Sequence, residues 1–263
     1  MSKITFSIQT GYHAERMPAV LQNIVDTADD PEDLEVVLVT HEDDPDSHHF
    51  THPRLNIKTF VFDEHYSSAM KTEFVLKETE GNILSGMSDD YIIHTKGWDE
   101  EFKKMFAEYP DQILLVGIND LMQMGALFTI PIVSRRSIEI VGYYVHPAYR
   151  YYRVDDHIHH TYDILRRLGH DRIIYREDII FEHNHYVMVN GRRAYTKAFT
   201  DNANHDGFCY WMLEGQRKID ALKMAMEIDS YDNGHTPLRH HEQVYCEKLT
   251  EINDGLTNFR KVD

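Results

Sequence analysis

The sequence predicts an α/β protein: a mainly parallel, Rossmann-like sheet with helices on both faces, followed by a helical extension. Three observations predict it. Apolar runs rich in β-branched residues alternate with segments of helical period through the first half of the chain, and strands separated by helices pair in parallel. Several of these runs end in polar, acid-rich clusters, which is where an open parallel sheet gathers its ligands. Beyond residue 200 only helical patterns remain. The expected division is an α/β domain over residues 1–200 and a helical extension over 201–263.

Taken in order, Lys3 to Gln9 reads as a buried strand, and Met17, Val20, Leu21, Ile24 and Val25 recur on one face of a helix. Asp29-Asp30-Pro31 stops that helix, and Leu34 to Thr40 is a second strand rich in valine. Asn56 to Phe62 is a third strand. Ser67 to Glu78 is a helix closing near Gly81-Asn82. The short apolar segment Ile83-Leu84 then runs into Ser88-Asp89-Asp90. Trp98 to Tyr109 is a charged amphipathic helix, Gln112 to Val116 a strand, and Phe128 to Val133 with Ser134 to Val141 a strand–helix pair. Val154 to Leu168 is a helix loaded with His and Arg and closed by Gly169. Ile173 to Tyr175 and Ile179 to Phe181 are two short strands. The polar run Thr200 to Gly207 reads as a connector. Phe208 to Ile228 is a long helix and His241 to Ile252 another.

With 263 residues, 42% of them hydrophobic, and only 13 Gly and 8 Pro, the chain holds enough apolar material for a full core and is no disordered polymer. No apolar run approaches the roughly 18 residues a membrane span needs. Met1-Ser2-Lys3 leads straight into the alternating Ile4, Phe6 and Ile8. A soluble, cytoplasmic protein with no membrane partner is therefore expected. Cys209 and Cys246 make no disulfide framework and lack metal spacing. The formal charge of −17 opposes general nucleic-acid binding, because phosphate backbones reward clustered Lys and Arg. The charge is uneven, however. Residues 1–130 carry 9 Lys and Arg against 24 Asp and Glu, residues 131–200 carry 11 against 8, and residues 201–263 carry 7 against 12. The middle surplus is arginine apart from Lys197. Arginine is the better bidentate phosphate ligand, so this third either faces a polyanionic acceptor or is an ordinary solvated helix surface.

Polar clusters follow the strands: Gln9-Thr10-Gly11-Tyr12 with Arg16, then Glu42-Asp43-Asp44, then Asp89-Asp90. Converging carboxylates repel and raise one another's pKa, a conflict that a hard divalent cation resolves. His183 and His185, at i and i+2 of a β-like run, share one strand face. Asp155 and Asp156 open the helix of Val154 to Leu168, as a cap or as reactive carboxylates. A zinc site from Asp155, His157, His159 and His160 is disfavoured, because consecutive spacing points these side chains around the helix.

The order of these segments resembles the GT-A fold nucleotide-sugar glycosyltransferases, particularly short bacteriophage members. The likeness runs through Thr10 to Arg16, Leu34 to Pro45, Ile83 to Asp90, and Thr95-Lys96-Gly97-Trp98-Asp99. It continues through Pro131 to Arg136, Asp155-Asp156 and Glu182-His183-Asn184-His185, spanning roughly residues 3–190. The resemblance implies a nucleotide-sugar donor, UDP-linked, and a divalent cofactor, Mn²⁺ or Mg²⁺. It implies donor contacts at Thr10, Tyr12, Arg16, Asp43, Asp44 and Asp89, and metal ligands at Asp90 with His183 or His185. Ser88 stands where the family's Asp-x-Asp has its first aspartate. Asp155 or Asp156 would take the acceptor's proton in an inverting transfer of a hexose or pentose. Trp98, Asp120, Arg135 and Arg136 would contact the acceptor. The phage likeness, together with Arg and Tyr between residues 135 and 193, points to hydroxymethylated pyrimidines in DNA as acceptor. A surface glycan or small molecule is the alternative. A non-catalytic nucleotide-sugar-binding module and a nucleotidyltransferase are the other classes that share these features.

Overall fold

The protein is described by a computed structural model covering residues 3–10, 12–184, 197–232, 245, 248 and 249. One eight-stranded sheet forms its centre, in the order β3-β2-β1-β4-β7-β6-β8-β5. The strands are β1 (Ile4–Gln9), β2 (Leu34–His41), β3 (Asn56–Phe62), β4 (Ile83–Ser88), β5 (Tyr91–Ile93), β6 (Leu115–Asn119), β7 (Ile132–Ser134) and β8 (Ile173–His183). The helices are α1 (Met17–Thr27), α2 (Ser68–Lys77), α3 (Trp98–Ala107), α4 (Arg135–Val141), α5 (Val154–Arg167), α6 (Lys197–Met212) and α7 (Glu214–Asp232). No helix among the described residues is long and apolar enough to cross a membrane.

Period-two alternation builds the layers. Ile4, Phe6 and Ile8 of β1 join Val36 and Leu38 of β2 in the core under α1 and α3, where Met17, Leu21, Trp98, Phe102 and Phe106 are buried. On the other face Leu84, Leu115 and Val133 meet α5 through Ile158, Tyr162 and Leu165, and α7 through Ala221, Met224, Ala225 and Ile228. The C-terminal helix thus closes the same core as α5. β1 pairs in parallel with β2 and β4, and β2 with β3. β7 runs antiparallel between β4 and β6, so β6 and its parallel neighbour β8 again end at the same sheet edge as β1 and β4.

β4, Ile83–Ser88, covers the short strand expected over 83–87; the Ser85 hydroxyl finds the Pro131 carbonyl at 3.2 Å and Gly86 admits Thr72 and Tyr144 beside it. Three differences from the sequence reading have physical causes. β8 is one strand with a register shift opposite Ile118/Asn119, not two short strands. β6 starts at Leu115, because Gln112 turns the chain at φ 58° and its side chain caps the carbonyls of Phe106 and Tyr109. The run Thr200 to Gly207 is not a connector but lies inside α6, with Asp206 fully buried. The long helix expected from Phe208 is accordingly split, α6 ending at Met212 and α7 starting at Glu214. Of the helix expected over His241 to Ile252, only residues 245, 248 and 249 lie within the described residues, and they are helical.

Candidate active site

Parallel pairing aligns the carboxyl ends that carry the acidic clusters: Gln9 is level with Val39 of β2 and with Ser88 of β4. The chain turns at Asp89-Asp90 and descends as β5, whose Tyr91 pairs with His183 at the end of β8. Strand β5 is short. It is fixed from below by Asn23 of α1, whose side chain accepts from Ile93 N at 2.7 Å and donates to Ile93 O at 2.9 Å. Gly97, Trp98 and Asp99 complete the anchor. Gly97, at φ 70°, donates its N–H to the Thr27 carbonyl at 2.7 Å, and a Cβ there would meet Asp29 at 2.8 Å. The Asp99 carboxylate accepts the N–H groups of Asp29 and Asp30, both at 2.9 Å.

At the turn, Asp89 is buried and meets the half-exposed Arg16 at 3.5 Å through Oδ1, while its Oδ2 is buried without a hydrogen-bond partner. Burial pushes the Asp89 carboxyl up to about 6 against the opposing Arg16 charge. Asp90 accepts from the Ser88 hydroxyl and lies 3.6 Å from His183 Nε2. Ser88, in the place of an aspartate, thus orients Asp90. The His183 ring stacks on Tyr91 at 4.2 Å between centroids, and its Nδ1 is 3.0 Å from the Tyr91 hydroxyl. That hydrogen bond leaves Nε2 facing the Asp90 carboxylate. Among the described residues no three His, Cys, Asp or Glu gather into a metal cage. A cation fits here as a guest of two residues, Asp90 and His183, beside the orphaned Asp89 oxygen, and a mixed oxygen–nitrogen set suits Mn²⁺ better than Mg²⁺. His185 lies outside the described residues.

Thr10 is fully buried, and its N–H and hydroxyl both turn to the Val39 carbonyl, so it ties β1 to β2. Tyr12, at φ 65° and 52% exposed, stacks on His41 and donates to Asp43 at 2.9 Å. The two neighbouring aspartates are thereby distinguished. Asp43 faces the surface beside Tyr12, whereas Asp44 is buried and accepts from Ser47 at 2.6 Å to hold its turn.

Asp155 and Asp156 occupy the second and third positions of α5. Neither is the cap, which is Arg153 at φ 66°. Asp155 Oδ1 accepts the Asp156 N–H at 2.9 Å, and Asp156 pairs with Arg153 at 3.0 Å. Burial, and then the Asp156 charge, push the Asp155 carboxyl up to about 7. The Tyr91 phenol is raised well above its ordinary value, by burial first and further by the charges of Asp90, Asp120 and Asp155.

The predicted acceptor residues are corrected by their surroundings. Trp98 is fully buried between Phe6, Phe102 and Phe181, and its indole N–H donates to Thr27. Arg135 donates to the carbonyls of Gly81 and Leu76 and to Thr79, knitting α4 to the end of α2. Arg136 pairs with Glu227 of α7. Asp120 is buried and accepts from the N–H groups of Met122, Gln123 and Met124 and from the Thr129 hydroxyl. It shapes a loop whose Leu121 and Met124 are exposed. Tyr151, among the tyrosines the sequence offered for acceptor contact, is exposed as a residue while its hydroxyl end is desolvated, which with the charges of Asp90 and Asp89 pushes the phenol up. One feature had no counterpart in the sequence reading. Asp206 of α6 accepts the N–H groups of Arg150, Tyr151 and Tyr152 at 3.0, 2.8 and 2.7 Å. The polar composition around Asp206 gave no signal of that role.

No family model and no curated protein matches the chain by sequence. Solved structures match its fold. The mannosyltransferase PcManGT from Pyrobaculum calidifontis, in complex with GDP-Man and Mn²⁺, aligns over 100% of this chain and 88% of its own, with 14% identity and a TM-score of 0.53. Staphylococcus aureus TarS aligns over 68% of this chain and 36% of its own, with 13% identity and a TM-score of 0.50. The architecture is that of the GT-A fold: a curled sheet of mixed direction flanked by helices, with helices added at the C-terminal end.

Proposed function

We propose that the protein is a metal-dependent glycosyltransferase that moves a sugar from a nucleoside-diphosphate sugar, UDP-linked in the first instance, to an acceptor hydroxyl. One observation carries the reading. Three separate segments bring Arg16, Asp89 with Asp90, and His183 to one sheet edge, and the charge of Asp155, whose own carboxyl is pushed up to about 7, reaches Tyr91 of the same site. The match to a mannosyltransferase structure described with GDP-Man and Mn²⁺ supports the same reading through the fold. Asp90 and His183 would hold the cation, which when bound neutralises and orients a diphosphate as a Lewis acid.

The chain's own residues do the rest. Arg16, half-exposed beside Asp89, is placed to pair with a phosphate oxygen. Tyr12 offers an exposed ring and Asp43 a carboxylate for the nucleoside. Asp155 accepts the acceptor's hydroxyl proton as that oxygen bonds to the anomeric carbon and the bond to the diphosphate breaks. A carboxylate with a pKa near neutrality suits that proton transfer. An inverting outcome follows if the hydroxyl enters opposite the diphosphate.

A glycan or small hydroxylated acceptor is favoured over DNA, because most of the described arginines that suggested a polyanion, Arg135, Arg136, Arg153, Arg166 and Arg167 among them, are paired within the protein. The test is a thermal-shift and turnover panel of UDP- and GDP-sugars with Mn²⁺ and Mg²⁺. Manganese-dependent stabilisation by one nucleotide class and release of that nucleoside diphosphate are expected. Release of pyrophosphate, or no nucleotide binding, would defeat the proposal.

A further inference from the structure

Beside the carboxylate cluster lies a cavity of about 620 Å³ that the transfer reaction as described does not use. Its walls come from His41 at the end of β2, the segment Glu64 to Lys71 leading into α2, the loop Pro147 to Tyr151, and Asn202 and His205 of α6. None of Arg16, Asp43, Asp89, Asp90 or His183 lines it. His41 borders it and stacks on Tyr12, the hydrogen-bond partner of Asp43, so the two spaces adjoin there, and Tyr151 of the same wall also feels the charges of Asp89 and Asp90. The volume is that of a small-molecule pocket.

Its electrostatics run against the rest of the molecule. In a chain of formal charge −17, the cavity carries Lys71, Arg150, His41, His65 and His205 against the single acid Glu64. His65 leans on Asp63 and His205 on Asp206. Lys71 is the unusual group. It is only 2% exposed, makes no ion pair among the described residues, and donates to the ring of His41, 2.9 Å from Nε2. Burial works against this ammonium, the charges of Asp43 and Asp63 offset that only in part, and a ligand's negative charge would complete the balance. Arg150 is exposed at the rim and also makes no ion pair among the described residues.

We propose that this cavity is an acceptor subsite that takes a phosphate group, held by Lys71 and Arg150. The inference rests on the glycosyltransferase reading for the word acceptor, but the anion site itself does not. An acceptor anchored by its phosphate would lie along the cavity and present a hydroxyl past Tyr151, toward the carboxylate edge and Asp155, which follows Arg150 by five residues in the chain.

The test is calorimetric titration of the full-length protein with inorganic phosphate in metal-free buffer, repeated in the presence of saturating UDP with Mg²⁺. Saturable phosphate binding that persists with UDP bound is expected. Lys71→Met, which keeps the side-chain volume, should weaken phosphate binding at least tenfold, and the surface change Arg150→Ala several-fold. Both variants should bind UDP with Mg²⁺ within twofold of the parent. Competition between phosphate and UDP would overturn the proposal by giving the cavity to the donor, and so would absent phosphate binding or unchanged affinity in both variants. Failure of the parent protein to bind either UDP or GDP with Mn²⁺ or Mg²⁺ would instead defeat the glycosyltransferase reading and leave the Lys71 result to judge the anion site alone.

Discussion

Asp155 shows how one side chain can be read in two ways until its neighbours are known. As a helix-opening aspartate it is an ordinary cap; in the structure the cap is Arg153, and Asp155 is a partly buried acid beside a second carboxylate. Its pKa, about 7 in the folded protein and roughly 4 in an unfolded chain, means that the folded state holds the proton more tightly. The associated stability is full below about pH 4 and is lost as pH rises through 7. Asp155→Asn should therefore match the parent's melting temperature near pH 4 and exceed it by a few degrees above pH 7. The same change should lower kcat by about 10²–10⁴ with donor KM unchanged, and parental kcat should rise with pH through about 7. A variant that is neither stabilised at pH 8 nor slowed would remove Asp155 from the base role. Asp90 makes the complementary case. Asp90→Ala should fold and abolish manganese-dependent stabilisation by UDP, whereas retention of that stabilisation would place the cation elsewhere.

Among the elements, α6 and the β5–α3 corner carry constraints that their composition conceals. The Thr95-x-Gly97-Trp98-Asp99 segment supported the family resemblance, yet its described contacts are structural: Gly97, Trp98 and Asp99 all bond to the end of α1 or the residues just after it. It serves the site indirectly, by fixing the corner from which β5 and the Asp89-Asp90 turn are held. Helix α6 was unreadable for a related reason. Gly favours turns by its backbone freedom, and Asn and Asp because their side chains bond to nearby backbone; Asp206 does make such bonds, but to the distant residues 150–152. Asp206→Ala would leave three N–H groups without their acceptor, at a cost of about 2–4 kcal/mol. The loop carrying Arg150 and Tyr151 should loosen, so that kcat falls while affinity for UDP with Mn²⁺ stays within a few-fold. Equal loss of nucleotide affinity in thermal-shift titrations would show that α6 supports the donor cleft as well.

At the level of the whole molecule, the legible part was the half from β1 through β3, because β1 and β2 are buried on both faces along nearly their whole length and so read as apolar, β-branched runs. The antiparallel insertion of β7 was not legible, since neighbour order in a sheet leaves no mark on a three-residue strand. The use of the arginines was hidden for the same reason: a sequence shows the charge but not its partner. Most of the arginine surplus in the described part of residues 131–200 is answered locally. Arg136 meets Glu227, Arg166 and Arg167 share Asp163, Arg172 holds Asp111, and Arg176 bridges Glu101 and Asp178. A phosphate backbone approaching these groups would have to displace a carboxylate at each one, and would do so in the field of a chain with net charge −17. Counterion release, which drives DNA binding, is small where the protein already supplies the counterion. Duplex DNA, with or without hydroxymethylated cytosine, should therefore show no mobility shift at micromolar protein in roughly 50 mM salt. Turnover of a small acceptor should likewise be nearly flat across that salt range. A shift that strengthens as salt falls and disappears in Arg136→Glu would mean that these ion pairs open to a polyanion, and would restore DNA as the acceptor.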